Sequence, residues 1–171
     1  MKVLFLCNKD AYINKLSRVR FHSVEAIGKI CNLKWSGKNW ENYDNNLTVQ
    51  ENIDYIYKGE QPDIVIVYKP LEMKGFKDVR ALKCIRYNEM YDIEWTKKEI
   101  EGSGAELVIC HHENDCNKFK EIYKNSTIRF EHIAHCAEKS IYKDYKLEKN
   151  YDLFLCGALG IRTVLGVHYP L

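Results

Sequence analysis

The chain has 171 residues, is 46% hydrophobic, contains only 3 prolines and carries a formal net charge of +2. That length favours one domain with a proper core, and that composition excludes a disordered chain. Charges of both signs are interleaved, which leaves no basic stripe of the kind that binds nucleic acid.

Largely apolar runs of three to five residues, bounded by polar or turn residues, predict strands buried on both faces. They fall at residues 3–7, 33–35, 64–68, 84–87, 107–110, 128–132 and 153–156. Between the first two lies an amphipathic stretch, 15–30, with Leu16, Val19, Val24, Ile27 and Ile30 at helical spacing. A second helix is predicted over 48–58, opened by the capping-box pattern Thr48-Val-Gln-Glu51, whose hydroxyl and carboxylate can satisfy orphan amides. Thr96-Lys-Lys-Glu99 repeats that pattern, and Asn114 or Asp115 is placed to cap a helix running to about Lys124. The segment 136–150 is polar and rich in tyrosine and lysine, as expected of a surface wrap.

Strands alternating with helices imply an α/β fold: a three-layer Rossmann-like domain with a mostly parallel sheet of six or seven strands and right-handed crossovers. The turn after the first strand, Asn8-Lys-Asp-Ala-Tyr12, has no glycine to admit a pyrophosphate, and no P-loop pattern occurs, so neither a dinucleotide nor any other cofactor is expected. The seven cysteines are odd in number and lack a C-x-x-C pair, and Cys7, Cys84, Cys110 and Cys156 sit in apolar runs. Buried thiols in a reducing, cytoplasmic setting fit this better than a disulfide framework. No apolar run reaches the roughly 18 residues that a membrane span needs.

Polar clusters sit where strands end, which is where an open α/β sheet binds its ligands. The strand 107–110 runs into His111, His112, Glu113, Asn114 and Asp115. With His132, His135 and Cys136 these are enough ligand types for zinc, but adjacent histidines on an extended segment diverge and no H-E-x-x-H is present, so no metal site is expected. One of the two histidines can instead serve as a general base, or as a donor to a sugar or phosphate. The plainer alternative is a half-buried His112 beside an Asp115 helix cap. The strand 84–87 ends in Arg86-Tyr-Asn-Glu-Met-Tyr-Asp92, whose aromatic, amide and carboxylate groups suit a hydroxyl-rich ligand or an ordinary turn. Arg18 and Arg20 either hold an anion or are solvated, and Trp35 and Trp40 are expected to pack.

Taken in order, the blocks MKVLFLCN, KLSRVRFHSVEAIG, PDIVIVYKP, RYNEMYD, VICHHENDCNKFK, FEHIAHCAEKSIYKDY and YDLFLCGALG before HYPL resemble the N-terminal domain of GT-B-fold glycosyltransferases. The nearest type is the CgeB-like, spore-maturation group, found in bacteria and, in lysine- and asparagine-rich versions, in giant DNA viruses. The resemblance implies a two-domain, metal-independent enzyme whose N-terminal domain shapes the acceptor side of a cleft and whose C-terminal domain binds the nucleotide-sugar. By that resemblance His111 and His112 face the cleft, as base or as stabiliser of the leaving group. Asn8, Arg18, Arg86, Tyr87, Asn88, Glu89, Asp92 and Asp115 would bind substrate. Residues 1–160 would form the acceptor-side domain. Residues 161–171 would be the truncated start of a linker to a donor domain, which the chain lacks and which a separately encoded partner would supply. The competing readings are a non-catalytic Rossmann-like binding module and, on the histidines alone, a metal-dependent hydrolase.

Overall fold

A computed structural model of the chain describes residues 1–13, 21–87, 90, 92–134, 146, 162–164 and 167–169. Among these, six strands form one all-parallel sheet: β1 (Lys2–Leu6), β2 (Asn32–Ser36), β3 (Ile64–Val67), β4 (Leu82–Tyr87), β5 (Leu107–Cys110) and β6 (Arg129–His132). The order across the sheet is β2-β1-β3-β4-β5-β6. The helices are α1 (Lys9–Tyr12), α2 (Phe21–Gly28), α3 (Val49–Ile56), α4 (Ile93–Ser103) and α5 (Glu113–Ile122), and two 3₁₀ turns, Pro70–Glu72 and Phe76–Asp78, join β3 to β4. The chain divides into two compact units, Met1–Cys136 and Ala137–Leu171. In the second, β7 (Arg162–Val164) and β8 (Val167–Tyr169) pair antiparallel, in a span expected to be linker. The strand expected over 153–156 lies outside the described residues.

Strand order and crossover handedness fix the layers. The chain steps from β1 outward to β2, then back past β1 to β3, and thereafter always in one direction. Right-handed crossovers therefore put α2 on one face and α3, α4 and α5 on the other. The packing agrees. Val24 of α2 joins Val3, Phe5, Ile66 and Cys84 in one core cluster. Val49 and Ile53 of α3, Ile100 of α4 and Phe119 of α5 join Leu4, Val65, Val67, Ile85 and Val108 in the other. Successive strand residues alternate between these clusters, as a period of two requires. Because the direction reverses at β1, the topological switch point falls between β1 and β3.

Local chemistry explains most helix starts. Thr48 caps α3 with a complete capping box, its hydroxyl accepting from Glu51 N while the Glu51 carboxylate accepts from Thr48 N. At α4 the structure departs from the sequence reading. Asp92 is the cap, accepting from Trp95 N at 2.9 Å, and Thr96 is buried one turn inside. At α5 the cap position belongs to His112, which makes no capping bond, so neither Asn114 nor Asp115 caps it. Both lie in the helix, with Asp115 in the first turn, where its charge suits the dipole. Of the predicted 15–30 helix, 21–28 is helical.

Candidate functional site at the carboxyl edge of the sheet

All six strands run parallel, so the residues that follow each one gather on one rim. Asn8, Tyr68, Arg86, Tyr87, His111 and His112 are brought to this rim from β1, β3, β4 and β5, and the starts of α4 and α5 add Asp92 and Asp115. Arg18, Asn88 and Glu89 lie outside the described residues, as do Arg20, His135 and Cys136.

The centre of the rim is a hydrogen-bonded chain on the α2 face. Arg86 Nε donates to His111 Nε2 at 2.9 Å, Arg86 Nη2 donates to Ser23 Oγ at 2.6 Å, and His111 Nδ1 lies 2.7 Å from the Ile133 carbonyl oxygen. A guanidinium only donates and a carbonyl only accepts. His111 is therefore neutral, with its proton on Nδ1 and its Nε2 lone pair given to Arg86. Both side chains are buried, Arg86 at 6% and His111 at 5% exposure. One chain of contacts thus ties β4, β5, the segment after β6 and the first turn of α2.

Tyr87, next to Arg86, points to the other face. Its hydroxyl donates to Glu99 Oε2 of α4 at 2.5 Å, with both residues 8% exposed. Burial first, then the Glu99 hydrogen bond and charge, push this phenol far above the ordinary tyrosine range. It is held as a neutral donor. Cys110 and Cys116, also on this face, are buried, and desolvation raises the Cys110 thiol. The pleat thus separates two neighbours that the sequence placed in one cluster. His112 and Asp92 are exposed and Asp115 is half-buried.

Asn8 has a local task. Its side-chain oxygen accepts from Asp10 N at 3.1 Å and Ala11 N at 3.3 Å, capping α1. The amides of the first βα turn, where a diphosphate sits in a dinucleotide fold, are therefore already occupied. The same end of β1 is pinned to the β2 loop. Cys7 N donates to Ser36 O, Lys9 N donates to Lys38 O, and Trp40 Nε1 donates to Cys7 O at 3.1 Å. Gly37, at φ +122°, passes so close that an added Cβ would lie 2.4 Å from Cys7 O. Trp35 stacks on Trp40 at 5.9 Å and on Phe21 at 5.6 Å, so the tryptophans pack as expected.

Among the described residues no group of three or more histidine, cysteine, aspartate or glutamate side chains is placed to hold a metal ion. The five cysteines among them are free thiols. No helix among them is long and apolar enough to cross a membrane. Ser23 was not singled out in the sequence, because it reads there as one more polar position of a helix. Its link to Arg86 spans 63 residues and needs the fold to be seen. Compared with protein-family models, with curated proteins and with solved structures, the chain matches none. Fold and rim together define an α/β domain that presents buried, hydrogen-bonded polar groups where such sheets bind ligands.

Proposed function

We propose that the chain is the acceptor-side domain of a glycosyltransferase of the two-domain GT-B type, and that it transfers a sugar from a nucleotide-sugar only when a donor-binding domain is supplied with it. Besides the sequence resemblance, the observation that carries this reading is the Ser23–Arg86–His111–Ile133 chain at the carboxyl edge of the sheet. Polar side chains positioned by buried hydrogen bonds are what orienting a hydroxyl-rich acceptor requires. The capped α1 start supports assigning the donor to another domain, since the βα turn that would cradle its diphosphate is filled by Asn8.

Within this reading the two histidines divide the work. Both ring nitrogens of His111 are engaged, so it is a positioning residue that holds Arg86. His112 is exposed at the start of α5, and in this reading it is the histidine that meets the acceptor. Asp92 stands at the start of α4 and Asp115 in the first turn of α5.

The occupied His111 ring also favours a second reading. A non-catalytic module would use the same rim for binding and would have no need of a free base.

Incubating the purified chain with UDP- and GDP-sugars tests the proposal. Alone, it is expected to release no nucleotide catalytically, because transfer demands donor, acceptor and base held together. Catalytic release that disappears in His112→Ala or His111→Ala would mean that this domain suffices by itself and would overturn the assignment. Binding of a saccharide or glycoside at the rim without turnover, in the presence of any candidate donor domain, would favour the second reading.

A further inference from the structure

Three strands across the sheet from Arg86, two adjoining hollows of about 660 Å³ and 420 Å³ run beside the edge strand β2 from the loop at its carboxyl end, and share Asn42 and Tyr55 as lining residues. Each falls within the roughly 300–1,000 Å³ of small-molecule sites. From this groove we infer a second, separate binding site, for a neutral saccharide, built on Tyr55 and the loop 41–47.

The aromatic platform is Tyr55. It stands on α3, is 75% exposed, and its hydroxyl makes no hydrogen bond among the described residues. An exposed tyrosine lining both hollows offers an apolar ring face with a polar tip. A pyranose ring is its complement, with an apolar C–H face and hydroxyls around the edge.

The polar wall is rigid before any ligand arrives. Asn52, 2% exposed, accepts from Asp44 N at 2.8 Å and donates to Asp44 O at 3.0 Å and Thr48 O at 2.9 Å. Asn42 accepts from Ser36 Oγ and donates to Trp35 O, both at 3.0 Å. Asp44 Oδ1 accepts from both the backbone and the side-chain nitrogen of Asn46. These internal bonds fix the loop and leave other groups for a ligand. They are the exposed Asn45 side-chain amide, the Asn46 side-chain carbonyl, the second Asp44 oxygen and the Tyr55 hydroxyl. A side-chain amide and a carboxylate together offer the donor and acceptors that neighbouring hydroxyls need. A preformed wall avoids the ordering cost that otherwise weakens binding.

Charge narrows the ligand to a neutral one. Asp54 Oδ1 accepts from Arg80 at 2.6 Å, Gln61 at 2.8 Å and Gln50 at 2.9 Å, so its charge is paired with a guanidinium. Glu41 is paired with Lys9 at 2.5 Å. Asp44 faces one half of the groove, and Lys34 and Lys58 face the other. No single sign dominates, so neither a phosphorylated sugar nor a polyamine is matched.

The test is saturation-transfer NMR on the full chain with cellobiose, maltose and N,N′-diacetylchitobiose as probes. At least one is expected to bind, with saturation strongest on its ring C–H protons. Tyr55→Phe is expected to keep that affinity, and Tyr55→Ala to lower it about tenfold, the loss of one aromatic face. Asn45→Ala, at an exposed loop position, gives a second reading of the same loss if Tyr55→Ala does not fold. Failure of all three sugars to bind, or binding unchanged in Tyr55→Ala or in a folded Asn45→Ala, overturns the inference. Tyr55 and Asn45 are not part of the Ser23–Arg86–His111–Ile133 chain, so loss of saccharide binding in these variants tests this groove, and the glycosyl-transfer reading is tested by nucleotide release instead.

Discussion

His111 and Arg86 show how one contact decides what a residue can do. A histidine at a strand end invites a role in proton transfer, since its charge changes near neutral pH. Here Nε2 accepts from a guanidinium and Nδ1 donates to a backbone carbonyl. Taking up a proton would remove the lone pair on which Arg86 rests and set two positive charges 2.9 Å apart. Removing His111 takes away the acceptor of the buried Arg86 Nε–H. His111→Ala is therefore expected to lower stability by about 1–3 kcal/mol, the penalty for an orphaned buried donor. Arg86→Leu removes the donor itself, so the double variant should lose less than the sum of the two single losses. Urea unfolding of the four proteins measures this coupling, and strict additivity would show that the contact does not bind the rim together.

At the level of elements, much of the fold could be read from the chain, and the misreadings share a cause. β3 and β5 are unbroken apolar runs, so continuous apolarity identified them to within a residue, whereas β4 carries Lys83 and Arg86 and was read two residues short at its start. Thr48-Val-Gln-Glu51 forms the capping box that its spacing promises. Thr96-Lys-Lys-Glu99 has the same spacing but lies inside α4, because Asp92 captures the chain first and Thr96 and Glu99 turn inward, Glu99 to meet Tyr87. Local spacing cannot register a partner on another strand. The same blindness hid Ser23 and split Arg86 from Tyr87 across the pleat. A direct comparison of caps follows. Thr48→Ala and Asp92→Ala should each cost about 1 kcal/mol, the usual worth of a capping side chain. Their unfolding midpoints relative to the parent measure it. An Asp92→Ala protein as stable as the parent would mean that α4 starts without help from that carboxylate.

At the scale of the whole molecule, the buried titratable groups set the pH range in which the fold persists. Desolvation by the core raises the Cys7 and Cys84 thiols to about 12, from an ordinary value of 9.0. Tyr57, buried with its hydroxyl unpartnered, is raised to about 12 from 10.0, by desolvation first and then by the charges of Asp63 and Cys31. All three are acids that stay neutral in the fold and ionise more easily once unfolded. Below their unfolded values both states are neutral, and stability does not depend on them. As pH rises past about 9 the unfolded chain releases thiol protons that the folded chain keeps, and each such thiol withdraws about 1.4 kcal/mol per pH unit until its folded value is reached. On the acid side the sign reverses. The Thr48 amide and hydroxyl lower the Glu51 carboxyl, and Lys2 lowers that of Glu60, so their contributions persist above about 4.5 and fade as pH falls through the lowered values. Stability measured by urea unfolding should therefore be level between about pH 6 and 8 and fall steeply above about pH 9. Cys84→Ala opens only a small cavity and removes one ionising group, so its stability should start lower than the parent's and decline less steeply. A parent curve that stays flat to about pH 10.5, or a Cys84→Ala curve with an unchanged alkaline slope, would mean that these thiols are not shielded from water as their burial requires.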